Sequence, residues 1–189
     1  KNLNFNKACI NSKEIKKNDI FFAIRGKKKD GNIFVDQAFK KKASLAIVNK
    51  ISKKNNISRQ IKVDDTLKFL TQSSKIFREI INSKIIAITG SCGKTTLKEL
   101  LGSLLRNLSK VTISPKSYNN KYGVPLSLFN LDQKDNYGVL EIGMDKKGEI
   151  DYLSKIIKPD VSVITNINYA HVKNFKSLKQ IALAKSEII

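Results

Sequence analysis

Along most of this chain, short apolar runs alternate with stretches whose apolar residues recur every three or four positions. Short runs of this kind read as strands, and the periodic stretches as amphipathic helices. Residues 20–24 (Ile-Phe-Phe-Ala-Ile) predict a strand, and 33–42 a helix with Phe34, Ala38 and Phe39 on one side. Residues 45–48 predict a second strand, 49–60 a polar loop and 61–63 a short strand. Asp65 is placed to cap a helix with Leu67, Leu70, Ile76, Phe77 and Ile80 inside. Asn82-Ser83-Lys84 reads as a boundary, which gives domains 1–82 and 83–189.

Beyond that boundary the alternation becomes regular. Strands are expected at 85–89, 111–113, 137–142 and 161–164. Helices are expected at 94–108, 122–129 and 148–157, with a last one from about Ser177 still running at Ile189. This order predicts an α/β fold: a small amino-terminal α/β domain, then a parallel sheet with helices on both faces. Ligands in such sheets sit at the carboxyl ends of the strands. The chain lacks an initiator Met and its last helix has no stop signal, so it is expected to be part of a longer enzyme with the second sheet incomplete.

The junction at 85–96 carries the first candidate chemistry. An apolar run ends in Thr89-Gly90, Ser91-Cys92-Gly93 follows, and Lys94-Thr95-Thr96 opens a helix. Glycines let backbone N–H groups turn toward an anion, and the helix start adds partial positive charge. Gly90, Ser91, Cys92, Gly93, Lys94, Thr95 and Thr96 are therefore expected to cradle phosphates. Lys94 would reach the outer phosphates, and the Thr95 hydroxyl would hold Mg²⁺. Common P-loops have four residues between their glycines, whereas two separate Gly90 and Gly93. An ordinary glycine-rich turn is the plain alternative.

Charge changes this picture little. The 36 basic residues outweigh 16 acidic ones, for a net charge of +20, which on its face suggests nucleic acid. The excess is nearly all lysine, and with abundant Ile and Asn it reads as a coding bias toward A and T. The lysines are scattered over several elements without interleaved aromatics. No nucleic-acid partner is expected, although a basic binding module remains the reading from another class. No apolar run approaches the roughly 20 residues that cross a bilayer. Cys9 and Cys92 make no metal spacing and suggest a reducing compartment.

Linked segments along most of the chain carry a resemblance. The loop at 89–96 resembles the shortened phosphate loop of the Mur ligase and folylpolyglutamate synthetase group. Glu141 to Ile150 is similar to the E-x-G-x-x-x-x-G-E-I segment of the Mur ligases that add D-alanyl-D-alanine, and Asn119 to Ser127 to their N-N-x-x-G-x-P-L-[ST]. Thr165-Asn166-Ile167-Asn168-Tyr169-Ala170-His171 resembles T-N-[IV]-x-x-A-H. Ile181 to Ile188 resembles IA-x-AK-x-EI. Towards the amino terminus, Asp19 to Gly26 is similar to GDLF-x-A-[LI]-x-G, and Asp30-Gly31-Asn32-Ile33-Phe34 to D-G-H-x-F. Asn11-Ser12-Lys13 stands where the family has Asp-Ser-Arg, and Lys116-Ser117 where many members have Gly-Asn.

The resemblance implies an enzyme that joins D-alanyl-D-alanine to UDP-N-acetylmuramoyl-tripeptide, driven by ATP through an acyl phosphate. It implies the first domain for the UDP-sugar and the second for ATP, in a bacterial cytoplasm, as a monomer without membrane insertion. It assigns catalysis to Lys94, Glu141, His171 and Lys185. It assigns substrate binding to Ser12, Asp30, Gly31, Asn119, Asn120 and Asn166. Two Mg²⁺ ions are implied, held by Thr95, Glu141, His171 and Lys185, the last as a carbamate. Each residue also has a plain reading. His171 is a core or cap histidine, Glu141 a solvated strand end, Lys185 a surface lysine, and Asn119 and Asn120 turn residues. A Mur ligase adding the third peptide residue and folylpolyglutamate synthetase are the near alternatives.

Overall fold

The structure is a computed structural model that describes residues 5–26, 29–170 and 174–189. The chain divides into two compact units, Lys1–Ser73 and Ser74–Ile189.

The first unit holds a four-stranded parallel sheet in the order β1-β2-β3-β4. Its strands are β1 (Ala8–Cys9), β2 (Ile20–Phe22), β3 (Leu45–Val48) and β4 (Gln60–Lys62). Strand β1 was not foreseen, because two residues are too few to show a period. β2 stops two residues short of the expected Ile24, whose carbonyl accepts from the N–H of Gly31 instead. The expected helix at 33–42 is a 3-10 turn, Gly31–Phe34, capped by Asp30, followed by α1 (Val35–Lys40). Lys42 ends it by taking a positive φ of 67°. Phe21, Ala23, Val35, Ala38, Ala46 and Val48 form the core.

Helix α2 (Thr66–Ile80) crosses the division between the units, so the compact units part inside it and not at 82–83. The physical reason lies in what its last turns touch. The Ser74 hydroxyl donates to the Pro125 carbonyl, the Phe77 ring meets Phe129 edge-on, and Ile81 joins the second unit's core. The expected buried stripe is corrected here. Leu70, Thr66, Thr71 and Ser74 are buried, whereas Ile76 and Ile80 are each 60% exposed.

The second unit is a parallel sheet in the order β6-β7-β5-β8, from β5 (Lys84–Thr89), β6 (Val111–Ile113), β7 (Tyr137–Glu141) and β8 (Val161–Ile164). Alternate residues of β5 serve opposite faces, as the pleat requires. Ile86 and Ile88 pack with Leu97, Leu101 and Leu105 of α3 (Lys94–Arg106). Ile85 and Ala87 pack with Val124 of α4 (Gly123–Phe129), Leu153 of α5 (Glu149–Ile157) and Ile181 of α6 (Leu178–Ser186). Helices therefore cover both faces, as the alternation predicts. Helix α6 ends at Ser186 and is not still running at Ile189; after it the chain turns through Ile188 N–H to Lys185 O and Ile189 N–H to Ser186 O.

Candidate active site

The site forms where β5 and β7 end. At Gly90 the chain leaves β5 with φ 150°, and a Cβ there would stand 1.8 Å from the Thr165 hydroxyl oxygen. Gly93, with φ 78°, turns the chain into α3. Only glycine takes both positions without strain. Lys94 folds back over the loop and donates to the Gly90 carbonyl at 2.9 Å. Thr95 follows on the first turn of α3, and its hydroxyl donates to Glu141 Oε2 at 2.7 Å.

Glu141 closes β7 and is 1% exposed, so it is no solvated strand end. Its other oxygen, Oε1, accepts from the Asn119 amide at 2.8 Å. Its backbone N–H donates to the Ser114 hydroxyl at 3.2 Å. Asn119 is fixed a second time, because its carbonyl accepts from the Gly143 N–H at 2.7 Å. Lys94, Thr95, Glu141 and Asn119 thus come together at one end of the sheet. Asn120 serves differently: its Oδ1 accepts from the N–H groups of Tyr122 and Gly123, which starts α4.

Asn166 braces the phosphate loop. Its Oδ1 accepts from Cys92 N–H at 3.1 Å, its amide donates to the Cys92 carbonyl at 3.2 Å, and its carbonyl accepts from Ser91 N–H. The Thr165 hydroxyl donates to the same Cys92 carbonyl at 2.6 Å. Cys92 itself is exposed. His171 lies outside the described residues. Among those described, no group of three or more His, Cys, Asp or Glu side chains forms a metal cluster.

Lys185 lies on the inner face of α6 and is 2% exposed. Burial first, and then the charge of Lys94, push its pKa down from 10.5 to about 8. A desolvated ammonium next to another cation gives up its proton more easily. The neighbouring Glu187 carboxylate accepts from the N–H groups of Gly148 and Asp151, which pins α6 to the start of α5. This gives the glutamate of the Lys185-Ser186-Glu187 segment a structural task that its sequence position did not announce.

In the first unit, Ser12 is buried and donates to Gln37 Oε1 at 2.6 Å. Asp30 accepts from the backbone and side-chain N–H groups of Asn32, which hold its carboxyl below the usual range. Asn32 Oδ1 in turn accepts from Asn49 and Lys50. Gly31 admits no side chain, since a Cβ would stand 2.5 Å from the Ala23 backbone.

A parallel α/β sheet with a glycine loop, lysine and hydroxyl at its central strand defines a nucleotide-binding domain of the phosphate-loop class. The family model of the Mur ligase middle domain matches residues 88–189, and the chain belongs to the Mur ligase family. It is 41% identical over 183 residues to the UDP-N-acetylmuramoyl-tripeptide–D-alanyl-D-alanine ligase of Buchnera aphidicola (Acyrthosiphon pisum), covering 97% of this chain and 40% of that protein. It is also similar to two crystal structures, MurF from Acinetobacter baumannii and MurF from Thermotoga maritima in complex with ADP. The first has a TM-score of 0.83 at 39% identity, over 96% of this chain and 40% of that one. The second has a TM-score of 0.82 at 34% identity, over 100% of this chain and 44% of that one. The chain spans about 40% of the length of the curated relatives it matches.

Lys98, Ser114 and Glu187 were not singled out from the sequence. Only Lys98 leaves a signal there. It is a lysine one turn after Lys94, beside Leu97 and Leu101 on a stripe that otherwise reads apolar.

Proposed function

We propose that this chain forms the UDP-sugar-binding and ATP-binding parts of a ligase that joins D-alanyl-D-alanine to UDP-N-acetylmuramoyl-tripeptide. The observation that carries the reading is the Lys94–Thr95–Glu141–Asn119 cluster at the strand ends, in a chain whose relatives bear that name. In the reaction, a carboxylate oxygen of the tripeptide attacks the γ-phosphorus of ATP. The bond to the β-phosphate breaks and ADP leaves. The dipeptide amine then attacks the acyl phosphate, loses a proton and displaces phosphate, leaving an amide. Lys94, released from Gly90, neutralises the moving phosphoryl group, and the loop N–H groups hold the β-phosphate. Asn119 orients Glu141 and faces the reacting carboxylate. Positioning and charge stabilisation supply most of the rate.

The donor set fits Mg²⁺, because hydroxyl and carboxylate oxygens suit a hard cation and Glu141 is a buried carboxylate aimed at Thr95. Thr95, Glu141 and His171 would hold the first ion, and a carbamate on Lys185 a second. Bound Mg²⁺ would withdraw charge from the transferring phosphoryl group. Carbamylation needs a neutral amine, and the lowered pKa of Lys185 supplies one near pH 8. Ser12, Asp30 and Gly31 would line the UDP-sugar site, and Asn120 and Asn166 would complete the substrate and phosphate loops. A cytoplasmic monomer is the setting proposed for this chemistry.

The test is precursor choice. The complete ligase is incubated with ATP and either the UDP-linked tripeptide plus D-alanyl-D-alanine or the UDP-linked dipeptide plus a free amino acid. Consumption of the tripeptide with formation of pentapeptide is expected. Consumption of the dipeptide alone would assign the enzyme to the preceding step.

A further inference from the structure

Lys98 has no exposed surface. A buried ammonium is costly unless its protons find acceptors, and here they do. It donates to the carbonyl of Ser114 at 2.8 Å and of Lys116 at 2.5 Å, with Glu99 Oε1 at 3.3 Å. Both carbonyls belong to the connection between β6 and α4. Lys116, the second acceptor, has a φ of 51°, a left-handed conformation that a lysine rarely takes, and Asn119 follows three residues on. The same connection presents Asn119 to Glu141 Oε1 and, through the Ser114 hydroxyl, accepts the Glu141 N–H. One side chain on the helix that starts at the phosphate loop therefore anchors the strained end of the loop that grips Glu141.

We propose that Lys98 is a positioning residue for amide formation. Its ammonium ties α3 to the 114–119 loop and fixes Asn119 against Glu141, where the carboxylate substrate reacts. This rests on the ligase reading above. The phosphate loop does not depend on Lys98, since its own braces are Gly90, Thr165 and Asn166. Thr95 on the phosphate-loop side holds Glu141 Oε2 without the 114–119 loop, so loss of Lys98 falls first on Asn119 and the carboxylate substrate it faces, and least on ATP. A lysine that only supported the fold would lower the amount of active enzyme and leave both KM values alone.

The test uses Lys98→Met in the complete ligase, with kcat and the KM of each substrate measured separately. The expected result is a KM for the UDP-linked tripeptide raised by roughly tenfold or more with a reduced kcat, while the KM for ATP stays within about twofold. Wild-type KM values for both substrates would overturn the proposal, whatever happens to kcat. If circular dichroism shows the Met variant unfolded, Lys98→Arg decides. It keeps the charge and the donors, but its planar head is too wide for a site closed around an ammonium. The same split in KM is expected, and two unchanged KM values again overturn the proposal. A wild-type enzyme that makes no pentapeptide would overturn the ligase reading itself. Pentapeptide synthesis with unchanged variant KM values overturns the Lys98 inference alone.

Discussion

Lys185 is buried on α6, as are Ile181 and Ala184 of the same helix, and its pKa falls to about 8. In the unfolded chain it would titrate near 10.5. Between these values the unfolded state binds more protons than the folded state, so stability rises with pH. Below about 8 both states are charged, and the folded state carries the desolvation cost in full. In CO₂-free buffer, urea unfolding is expected to show stability rising from about pH 8 towards 10, and Lys185→Met is expected to remove that rise. Parallel pH profiles for the two proteins would mean that Lys185 keeps its ordinary pKa. The position of Lys185 was legible only through its segment's resemblance. A lone lysine in a helix gives no sign of its burial, which depends on β-strands and helices distant in sequence. Lys98 differs in that its place beside Leu97 and Leu101, on an otherwise apolar stripe of α3, does mark it, although its acceptors at Ser114 and Lys116 lie beyond β6.

Between β5 and α3 the loop depends on two glycines that differ in a measurable way. Gly93 needs its positive φ but has open space around it, whereas at Gly90 a Cβ would collide with the Thr165 side chain. Gly93→Ala is expected to cost about 1–2 kcal/mol for the left-handed backbone. Gly90→Ala is expected to add about 1–3 kcal/mol of overpacking, and to weaken ADP binding because Thr165 must leave the Cys92 carbonyl. Thermal unfolding and ADP titration of both variants check this. Equal losses would mean that Thr165 does not brace the loop. Elements with a strong period or clear punctuation were legible: β3 and β5 to β8 lie within a residue or so of expectation. The errors have local causes. Ile76 and Ile80 lie on the exposed side of α2 because the small polar Thr71 and Ser74 face inward, and the Ser74 hydroxyl finds a backbone carbonyl. The helix expected from 33 begins as a 3-10 turn because the Asp30 carboxylate captures the Asn32 N–H.

At the scale of the whole chain, the net charge of +20 comes nearly all from lysines spread over several elements. The ion pairs among the described residues are mostly exposed, such as Lys40–Asp36 and Lys155–Asp151, and such pairs contribute little. The lysines that the proposed chemistry uses are set apart from these, Lys94 by its position in the phosphate loop and Lys98 and Lys185 by burial. The parallel α/β class was legible because alternation of strands and helices leaves few other topologies. Within the candidate site, Lys94, Thr95 and Glu141 were legible because glycines and a strand end mark them. The bracing by Asn166 and the anchoring by Lys98 were not, because they depend on contacts across the sheet.

The chemistry proposed for this site makes an oxygen atom change owner. A UDP-linked tripeptide carrying ¹⁸O in both oxygens of its terminal carboxylate is converted by the complete ligase with ATP and D-alanyl-D-alanine, and the products are weighed. Attack on the γ-phosphorus followed by amine displacement leaves one ¹⁸O in the new amide and delivers the other to inorganic phosphate, with ADP unlabelled. Phosphate free of ¹⁸O, or label found in AMP, would contradict phosphoryl transfer to the carboxylate at the Lys94–Thr95–Glu141 site.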